Sequence, residues 1–156
     1  MEPTFRVAGA GDVDTIVTLM QELFLEDPLP DQRAFDSSRA RAAVLDLVDH
    51  PSYGRVWLLC EETVVVGYLA LTFGYSLEFH GRDAFIDELY VRSPSRGRGW
   101  GTQAMKHAEA FARSEGVRAL HLEVGRNNVA AQDFYRKTGY ADHDRYLMTK
   151  WLIDML

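Results

Sequence analysis

The residues best suited to chemistry form a turn rich in glycine and arginine, Arg96-Gly97-Arg98-Gly99-Trp100-Gly101. At the start of a helix, such a turn leaves backbone N–H groups without acceptors, and these groups and the helix dipole favour a phosphate or diphosphate. Glycine allows close approach to the backbone, and the two arginines can add charged contacts. The spacing fits neither G-x-G-x-x-G nor the Gly-Lys-Ser/Thr loop. The turn predicts a phosphate-binding site, with a solvated surface turn as the alternative.

Two adjacent carboxylates, Asp87 and Glu88, interrupt the apolar run that precedes this turn. The flanking residues are typical of a buried central strand, where ionised side chains are rare unless they are paired. Strict alternation puts Phe85, Asp87, Leu89 and Val91 on one face and Ile86, Glu88 and Tyr90 on the other. We therefore expect one carboxylate to face a cleft, where it could take a proton from an ammonium group or hold a cation. A structural ion pair is the alternative.

Composition limits the classes of protein to consider. A chain of 156 residues fits one domain over 1–156. The net charge of −6 argues against binding to nucleic acid and is compatible with a cationic substrate. The single cysteine, Cys60, excludes an internal disulfide, and the five histidines lack metal-ligand spacing, so we expect no metal. The absence of a long apolar run and of a signal-like N-terminal sequence predicts a cytoplasmic protein without a membrane span.

The elements that must position these residues alternate between helix and strand. Apolar spacing, prolines and glycines predict the order β-α-α-β-β-β-α-β-α-β, a mixed α/β domain with a βαβ crossover in its second half. Predicted strands cover 5–8, 55–61, 64–73, 84–91, 118–124 and 145–152, and predicted helices cover 13–27, 33–48, 99–114 and 128–138. Asp12 is expected to cap the first helix. A polar and aromatic loop is expected over 74–83.

Two motifs in this order resemble the GNAT N-acetyltransferase superfamily. Ile86-Asp87-Glu88-Leu89-Tyr90-Val91 followed by Arg96-x-x-Gly99-x-Gly101 resembles its acyl-CoA-binding motif. Asn128-x-x-Ala131-x-x-Phe134-Tyr135-x-x-x-Gly139-Tyr140 resembles its second motif. The resemblance implies a GNAT-like acyl-CoA N-acyltransferase fold, with a mixed sheet of about six to seven strands and about four helices. Trp100 departs from the smaller aliphatic residue that the first motif usually has between its glycines.

The resemblance also implies how acetyl-CoA binds as a cosubstrate. The backbone of Arg96, Gly97, Arg98, Gly99, Trp100, Gly101 and Thr102 is expected to hold the CoA diphosphate. The pantetheine arm is expected to pair with Leu89, Tyr90 and Val91 as an added strand, beside a gap where the following strand diverges. Asn128 is expected to bond the pantetheine, although asparagine is also a good N-cap for a helix.

For catalysis, the resemblance implies a proton donor and a base. Tyr135 is expected to protonate the leaving thiolate, since a thiol has a pKa of about 8.5 and a phenol one of about 10. Packing beside Phe134 and Ala131 is the alternative. Asp87, or otherwise Glu88, is expected to deprotonate or hold the amine.

The function expected from the resemblance is acetyl transfer to a primary amine of a small molecule: a polyamine, an aminoglycoside or an amino-acid-like compound. The acidic residues Glu22, Glu26, Asp27 and Asp31 suggest a cationic acceptor, with a solvated acidic face as the alternative. A protein N-terminal or lysine acetyltransferase and a non-catalytic acyl-CoA-binding module are the alternative functions. A homodimer is a further expectation, with neither nucleic acid nor membrane as a partner.

Overall fold

The computed structural model describes residues 4–28 and 34–154. The chain divides into two compact units, Met1–Leu122 and Glu123–Leu156. Helices α1 (Val13–Glu26), α2 (Ser37–Asp49) and α3 (Trp100–Ser114) belong to the first unit, and α4 (Val129–Lys137) belongs to the second. The expectation of one domain over 1–156 stays a prediction.

The first unit is built on one mixed sheet. Its strands are β1 (Thr4–Val7), β2 (Gly54–Glu61), β3 (Val64–Ser76), β4 (Gly81–Val91) and β5 (Ala119–His121), in that spatial order. Neighbouring strands are antiparallel except for β4 and β5, which are parallel because α3 forms the crossover between them. The mixed α/β class is confirmed, with five strands in the described residues rather than six to seven.

Helices cover both faces of this sheet. On one face α1 and α2 bury apolar side chains against Tyr68, Ala70 and Tyr90. On the other face α3 packs Phe111 edge-on against Trp57, with ring centroids 4.9 Å apart. Burial of an apolar face on each side explains why the central strands are nearly continuously hydrophobic.

A loop is predicted over 74–83, but strands β3 and β4 extend into this range from both sides and form a hairpin. The predicted bounds of the loop are therefore wrong at both ends. Gly74 pairs with Asp83 and Tyr75 with Arg82, so both strands continue almost to the turn. Exposed strand ends need only one apolar face, or none, and their polar composition therefore resembles that of a loop.

A β-bulge in β4 changes the side-chain directions near the carboxylates. Ile86 pairs with Leu71 and Glu88 pairs with Ala70, so Asp87 has no partner on β3. Adjacent β3 residues point to opposite faces, and Ile86 and Glu88 therefore do so as well. The predicted grouping of Ile86 with Glu88 on one face is wrong, because a bulge interrupts strict alternation.

Two helix starts also differ from the sequence prediction. The Asp12 carboxylate bonds Arg6 and the Gly9 N–H rather than capping α1. Helix α2 is capped by Asp36, whose side chain accepts from the backbone N–H groups of Ser38 and Arg39. The predicted start of this helix at Arg33 lies outside the described residues.

The second unit contains α4, close to its predicted bounds. Asn128 precedes the helix, and its Oδ1 accepts from Ala131 N at 3.2 Å, which confirms the predicted cap. Residues 145–152 were predicted as a final strand, but none of them is in a strand. Alternating apolar residues suffice to predict a strand, whereas forming one also requires a hydrogen-bonding neighbour.

Candidate active site

The glycine-rich turn presents unsatisfied backbone donors at the start of α3. Gly97 and Gly99 have positive φ angles of 78° and 84°, a region that favours glycine. Within the described residues, the N–H groups of Gly99, Trp100, Gly101 and Thr102 donate to no acceptor. A Cβ at Gly97, Gly99 or Gly101 would meet open space. The turn therefore offers consecutive free donors that suit a phosphate or diphosphate group.

The two arginines of this turn are held by carboxylates from elsewhere in the first unit. Arg96 contacts Glu26 of α1 through Nη2 and donates from Nε to the Val91 carbonyl. Arg98 Nη1 lies 3.4 Å from Glu61 Oε2. The side chains are about half exposed, so a bound phosphate could compete with these carboxylates for them.

Trp100 has a structural role that accounts for its departure from the family pattern. Its side chain is buried, its indole N–H donates to Glu61 Oε1 at 2.9 Å, and its ring meets Phe5 edge-on. The indole thus anchors the first turn of α3 to the end of β2. Only the backbone N–H of Trp100 remains for a ligand.

One edge of β4 is open next to the turn. Pairing between β4 and β5 ends at Phe85 and His121, and among the described residues no strand pairs with 86–91 on that side. Arg92 N bonds Val66 O, so by alternation the backbone of Tyr90 also points to β3 while that of Leu89 and Val91 points to the open edge. This edge can pair with an extended ligand, as the sequence resemblance implies, through Leu89 and Val91 rather than Tyr90.

The two β4 carboxylates have different surroundings. Burial and the nearby Asp87 charge raise the pKa of Glu88 to about 7 from an ordinary 4.5, against the opposing effect of the Tyr68 hydroxyl. Asp87 is exposed at the bulge, and partial desolvation raises its pKa as well. Glu88 is therefore the group that changes charge near neutral pH, which suits a base.

Tyr68 is a residue of this cluster that the sequence did not single out. Its hydroxyl is buried and forms no hydrogen bond with any described group, although it interacts electrostatically with Glu88. Burial, first of all, and then the neighbouring carboxylate raise the pKa of this phenol. An aromatic residue in an apolar strand predicts only core packing, so no sequence signal could have found it.

Glu22 and Glu26 on α1 form ion pairs within the protein and do not form a binding site for a cationic substrate. Glu22 makes a bidentate pair with Arg92, with N–O distances of 3.0 and 3.1 Å. Glu26 contacts Arg96, as described above, and the Tyr90 hydroxyl at 3.5 Å. Asp27 is exposed, and Asp31 lies outside the described residues. These pairs tie α1 to the end of β4, so they do not support the suggested cation site on α1.

Tyr135 lies on α4 in the second unit. Its side chain is half-buried, and desolvation raises the pKa of its hydroxyl. Its ring packs against Phe134 and Tyr140, with centroids 5.3 and 5.9 Å away. The first unit brings together the predicted residues from Asp87 to Thr102, whereas Asn128 and Tyr135 belong to the second.

Across residues 4–28 and 34–154, no three His, Cys, Asp or Glu side chains converge as a metal site. Over the same residues, no helix is long and apolar enough to cross a membrane.

Comparison with known proteins identifies relatives over nearly the whole chain. The sequence profile of the acetyltransferase (GNAT) family matches residues 16–140. Thialysine N-epsilon-acetyltransferase from Bos taurus is 28% identical over 148 residues, which is 88% of this chain and 83% of that protein. Aminoalkylphosphonate N-acetyltransferase from Salmonella typhimurium is 32% identical over 135 residues, covering 86% and 82% of the two chains. An integron cassette protein from the Cole Harbour salt marsh metagenome has a similar structure, with a TM-score of 0.82, 33% identity and coverage of 96% and 91%.

Proposed function

The chain belongs to the acetyltransferase (GNAT) family and is an acetyl-CoA-dependent N-acetyltransferase, and we propose that its acceptor is the primary amine of a small molecule. The observation that carries this proposal is Glu88, a carboxylate with a pKa of about 7 beside the open edge of β4. A base of this strength is partly ionised near neutral pH and can take a proton from an alkylammonium group.

Acetyl-CoA binding is proposed to use two sets of backbone groups. The N–H groups of Gly99 to Thr102 hold the diphosphate, assisted by Arg96 and Arg98. The outward-facing backbone of Leu89 and Val91 pairs with the pantetheine arm as a further strand would. Both interactions depend on main-chain geometry, which explains why glycines and an unpaired edge are needed.

The chemical step is proposed as direct attack by the amine on the thioester. Glu88 accepts one proton from the ammonium, the amine nitrogen bonds to the acetyl carbon and releases a second proton to solvent, and the carbon–sulfur bond breaks. The thiolate leaves with the bonding electron pair and takes a proton from the Tyr135 hydroxyl. The resulting phenolate is a stronger base than the thiolate and regains a proton from solvent. Asp87 raises the pKa of Glu88 by its charge and strengthens it as a base.

The relatives support the small-molecule class. The two named above act, by their names, on thialysine and on aminoalkylphosphonates, both of which are small amines. Thiol release from acetyl-CoA, measured with polyamines, aminoglycosides, amino acids and basic peptides, tests the proposal. We expect release with a small amine; release with peptides alone would contradict it and favour a protein acetyltransferase.

We also propose a cytoplasmic location, from the sequence composition, and a homodimer, from the family resemblance. Sedimentation equilibrium at several protein concentrations tests the dimer, for which we expect twice the chain mass of 17.7 kDa. A single species of chain mass would contradict it.

A further inference from the structure

Tyr68 carries a buried hydroxyl that the proposed reaction does not use. The residue lies in β3 and is only 1% exposed, and its hydroxyl forms no hydrogen bond with any described group. A core position of this kind favours phenylalanine, since a phenol that loses water without gaining a partner costs free energy. The hydroxyl therefore needs a partner, and the neighbouring strand supplies one.

The register of β3 against β4 places Glu88 diagonally across from Tyr68. Tyr68 pairs with Tyr90, and Ala70 pairs with Glu88. Tyr68 and Ala70 are two residues apart on one strand, so they point to the same face of the sheet, and Glu88 points there as well. Diagonal neighbours on one face lie about 7–8 Å apart, which is within reach of an aromatic and a long side chain.

The residue directly opposite Glu88 is small. Ala70 is buried, and its side chain ends at Cβ, so it leaves space for the carboxylate and the phenol to approach each other beside it. A longer side chain at this position would occupy that space. The two groups already influence each other, because the Tyr68 hydroxyl opposes the rise in the pKa of Glu88 that burial and the Asp87 charge cause.

The phenol keeps its proton, so it can act as a donor and not as a base. Burial first of all, and then the charge of Glu88, raise the pKa of the Tyr68 hydroxyl above its ordinary value of 10.0. Glu88 changes charge near neutral pH, since its pKa is about 7. A hydrogen bond to an ionised acceptor is shorter and about twice as strong as one between neutral groups. A bond between these side chains is therefore strongest when Glu88 is ionised.

The other titratable and charged groups of the surrounding elements are paired elsewhere, act through charge or are distant. The ion pairs are Glu22 with Arg92, Glu26 with Arg96, and Asp83 with His121. Asp87 and Tyr90 on β4 act through charge, and Cys60 on β2 is buried in the core. The charged residues of α2 are exposed. Among the described residues, Tyr68 is therefore the donor that lowers the pKa of Glu88.

We propose that Tyr68 is a positioning residue whose hydroxyl donates a hydrogen bond to the ionised Glu88 carboxylate and so favours the charged form that accepts a proton from the acceptor amine. This inference rests on the proposed function, because it takes Glu88 as the base. Tyr68 contacts neither acetyl-CoA nor the amine in this role and acts through Glu88 alone.

The first test is the pH dependence of Tyr68→Phe, which removes the donor and keeps the ring in the core. Without the bond the charged form of Glu88 is less favoured, so the acidic limb of kcat/KM should move to higher pH by about one unit. The rate at pH 6 should then fall about tenfold, whereas the rate at pH 9 should stay within about a factor of two of wild type. Loss of the Asp87 charge should move the limb in the opposite direction.

The matched control is Tyr75→Phe, the same substitution on the same strand at a residue that is 74% exposed. This control should keep the wild-type limb. An unchanged limb in Tyr68→Phe would overturn the proposal. A loss of rate that is equal at every pH would overturn it as well, because the hydroxyl would then serve the fold and not the charge of Glu88.

Carbon-13 NMR measures the contact itself and needs no turnover. The titration midpoint of the Glu88 carboxyl resonance, assigned by its loss in Glu88→Gln, should rise by about one unit in Tyr68→Phe. In the wild-type protein the Tyr68 Cζ resonance should shift with the midpoint of Glu88, and this measurement needs no folded Tyr68→Phe protein. A Tyr68 resonance that does not follow Glu88 would contradict the proposal.

The two measurements separate this inference from the proposed function. If the resonances of Tyr68 and Glu88 titrate together but Glu88→Gln keeps the wild-type rate, the contact stands and Glu88 is not the base. If they titrate independently while Glu88→Gln loses activity, the proposed function stands and the role of Tyr68 fails.

Discussion

The indole N–H of Trp100 donates to Glu61 Oε1 at 2.9 Å, and this bond joins the first turn of α3 to the end of β2. The same carboxylate also lies 3.4 Å from Arg98, so one side chain supports two residues of the diphosphate-binding turn. Glu61 is a supporting residue that the sequence did not single out, because a charged residue at a strand end is most often solvated.

Loss of the indole donor should destabilise the first unit. Trp100→Phe keeps an aromatic ring but removes a hydrogen bond to a charged acceptor, and we expect the free energy of unfolding to fall by about 1–3 kcal/mol. Urea denaturation measures this change. Glu61→Gln keeps an acceptor for the indole and should lose less; equal stability of Trp100→Phe and wild type would show that the bond does not anchor the helix.

The charge on Glu88 should set the acidic limb of the pH–rate profile. Since the base must be ionised and its pKa is about 7, kcat/KM should rise with pH through about 7. Asp87→Asn removes the like charge that raises this pKa, so the limb should move to lower pH. Initial rates between pH 5 and 9 measure the shift. An unchanged limb in Asp87→Asn, or a normal limb in Glu88→Gln, would exclude this assignment.

The same carboxylate should make the fold less stable as pH rises. The folded-state pKa of Glu88 lies above its ordinary value of 4.5, so the folded protein binds this proton more tightly than the unfolded chain does. The resulting stabilisation is complete below the ordinary pKa and is lost as pH rises through about 7. Glu88→Gln should therefore be more stable than wild type at pH 8, by up to about 3 kcal/mol.

The control for this measurement is Glu62→Gln in the exposed turn between β2 and β3. This variant should follow the wild-type stability across the pH range. If Glu88→Gln gains no stability at pH 8 relative to pH 4.5, the carboxylate is not desolvated in the folded protein.

Tyr135 should affect turnover and not cofactor affinity. Tyr135→Phe removes one hydroxyl, and loss of a general acid lowers kcat by about 10²–10⁴-fold. The Kd for CoA, measured by calorimetry, should stay at its wild-type value. Tyr146→Phe, at an exposed tyrosine of the same unit, is the matched control and should leave kcat unchanged. A wild-type kcat in Tyr135→Phe would remove this residue from the mechanism.

The sequence predicted those features that depend on neighbours along the chain. Helix α4 begins after Asn128 as expected, because a cap and a helical apolar stripe are local signals. The turn before α3 was likewise predicted from Gly97, Gly99 and Gly101. The helix signal at Asn128 and the glycine turn each depend on only a few consecutive residues.

Features that depend on partners across the sheet were beyond a single sequence. The bulge at Asp87 arises from the register of β3 against β4, and it reversed the expected side-chain grouping around Glu88. No sequence signal gave His121 a partner, and it bonds the buried Asp83 from the neighbouring strand. The apolar alternation over 145–152 predicted a strand that has no pairing partner in the described chain.

The proposal depends most on diphosphate binding by the N–H groups of Gly99 to Thr102. Gly101 lies inside the first turn of α3 with ordinary φ, and a Cβ there meets open space, so Gly101→Val should fold as well as wild type. In Gly11→Val, the matched control, a side chain likewise meets open space but lies away from the turn.

The direct measurement is the Kd of CoA for these two variants by isothermal titration calorimetry. We expect Gly101→Val to weaken binding at least about tenfold, since its side chain occupies the space of the diphosphate, while Gly11→Val binds as wild type does. Wild-type affinity in a folded Gly101→Val protein would contradict the placement of the diphosphate on these amides.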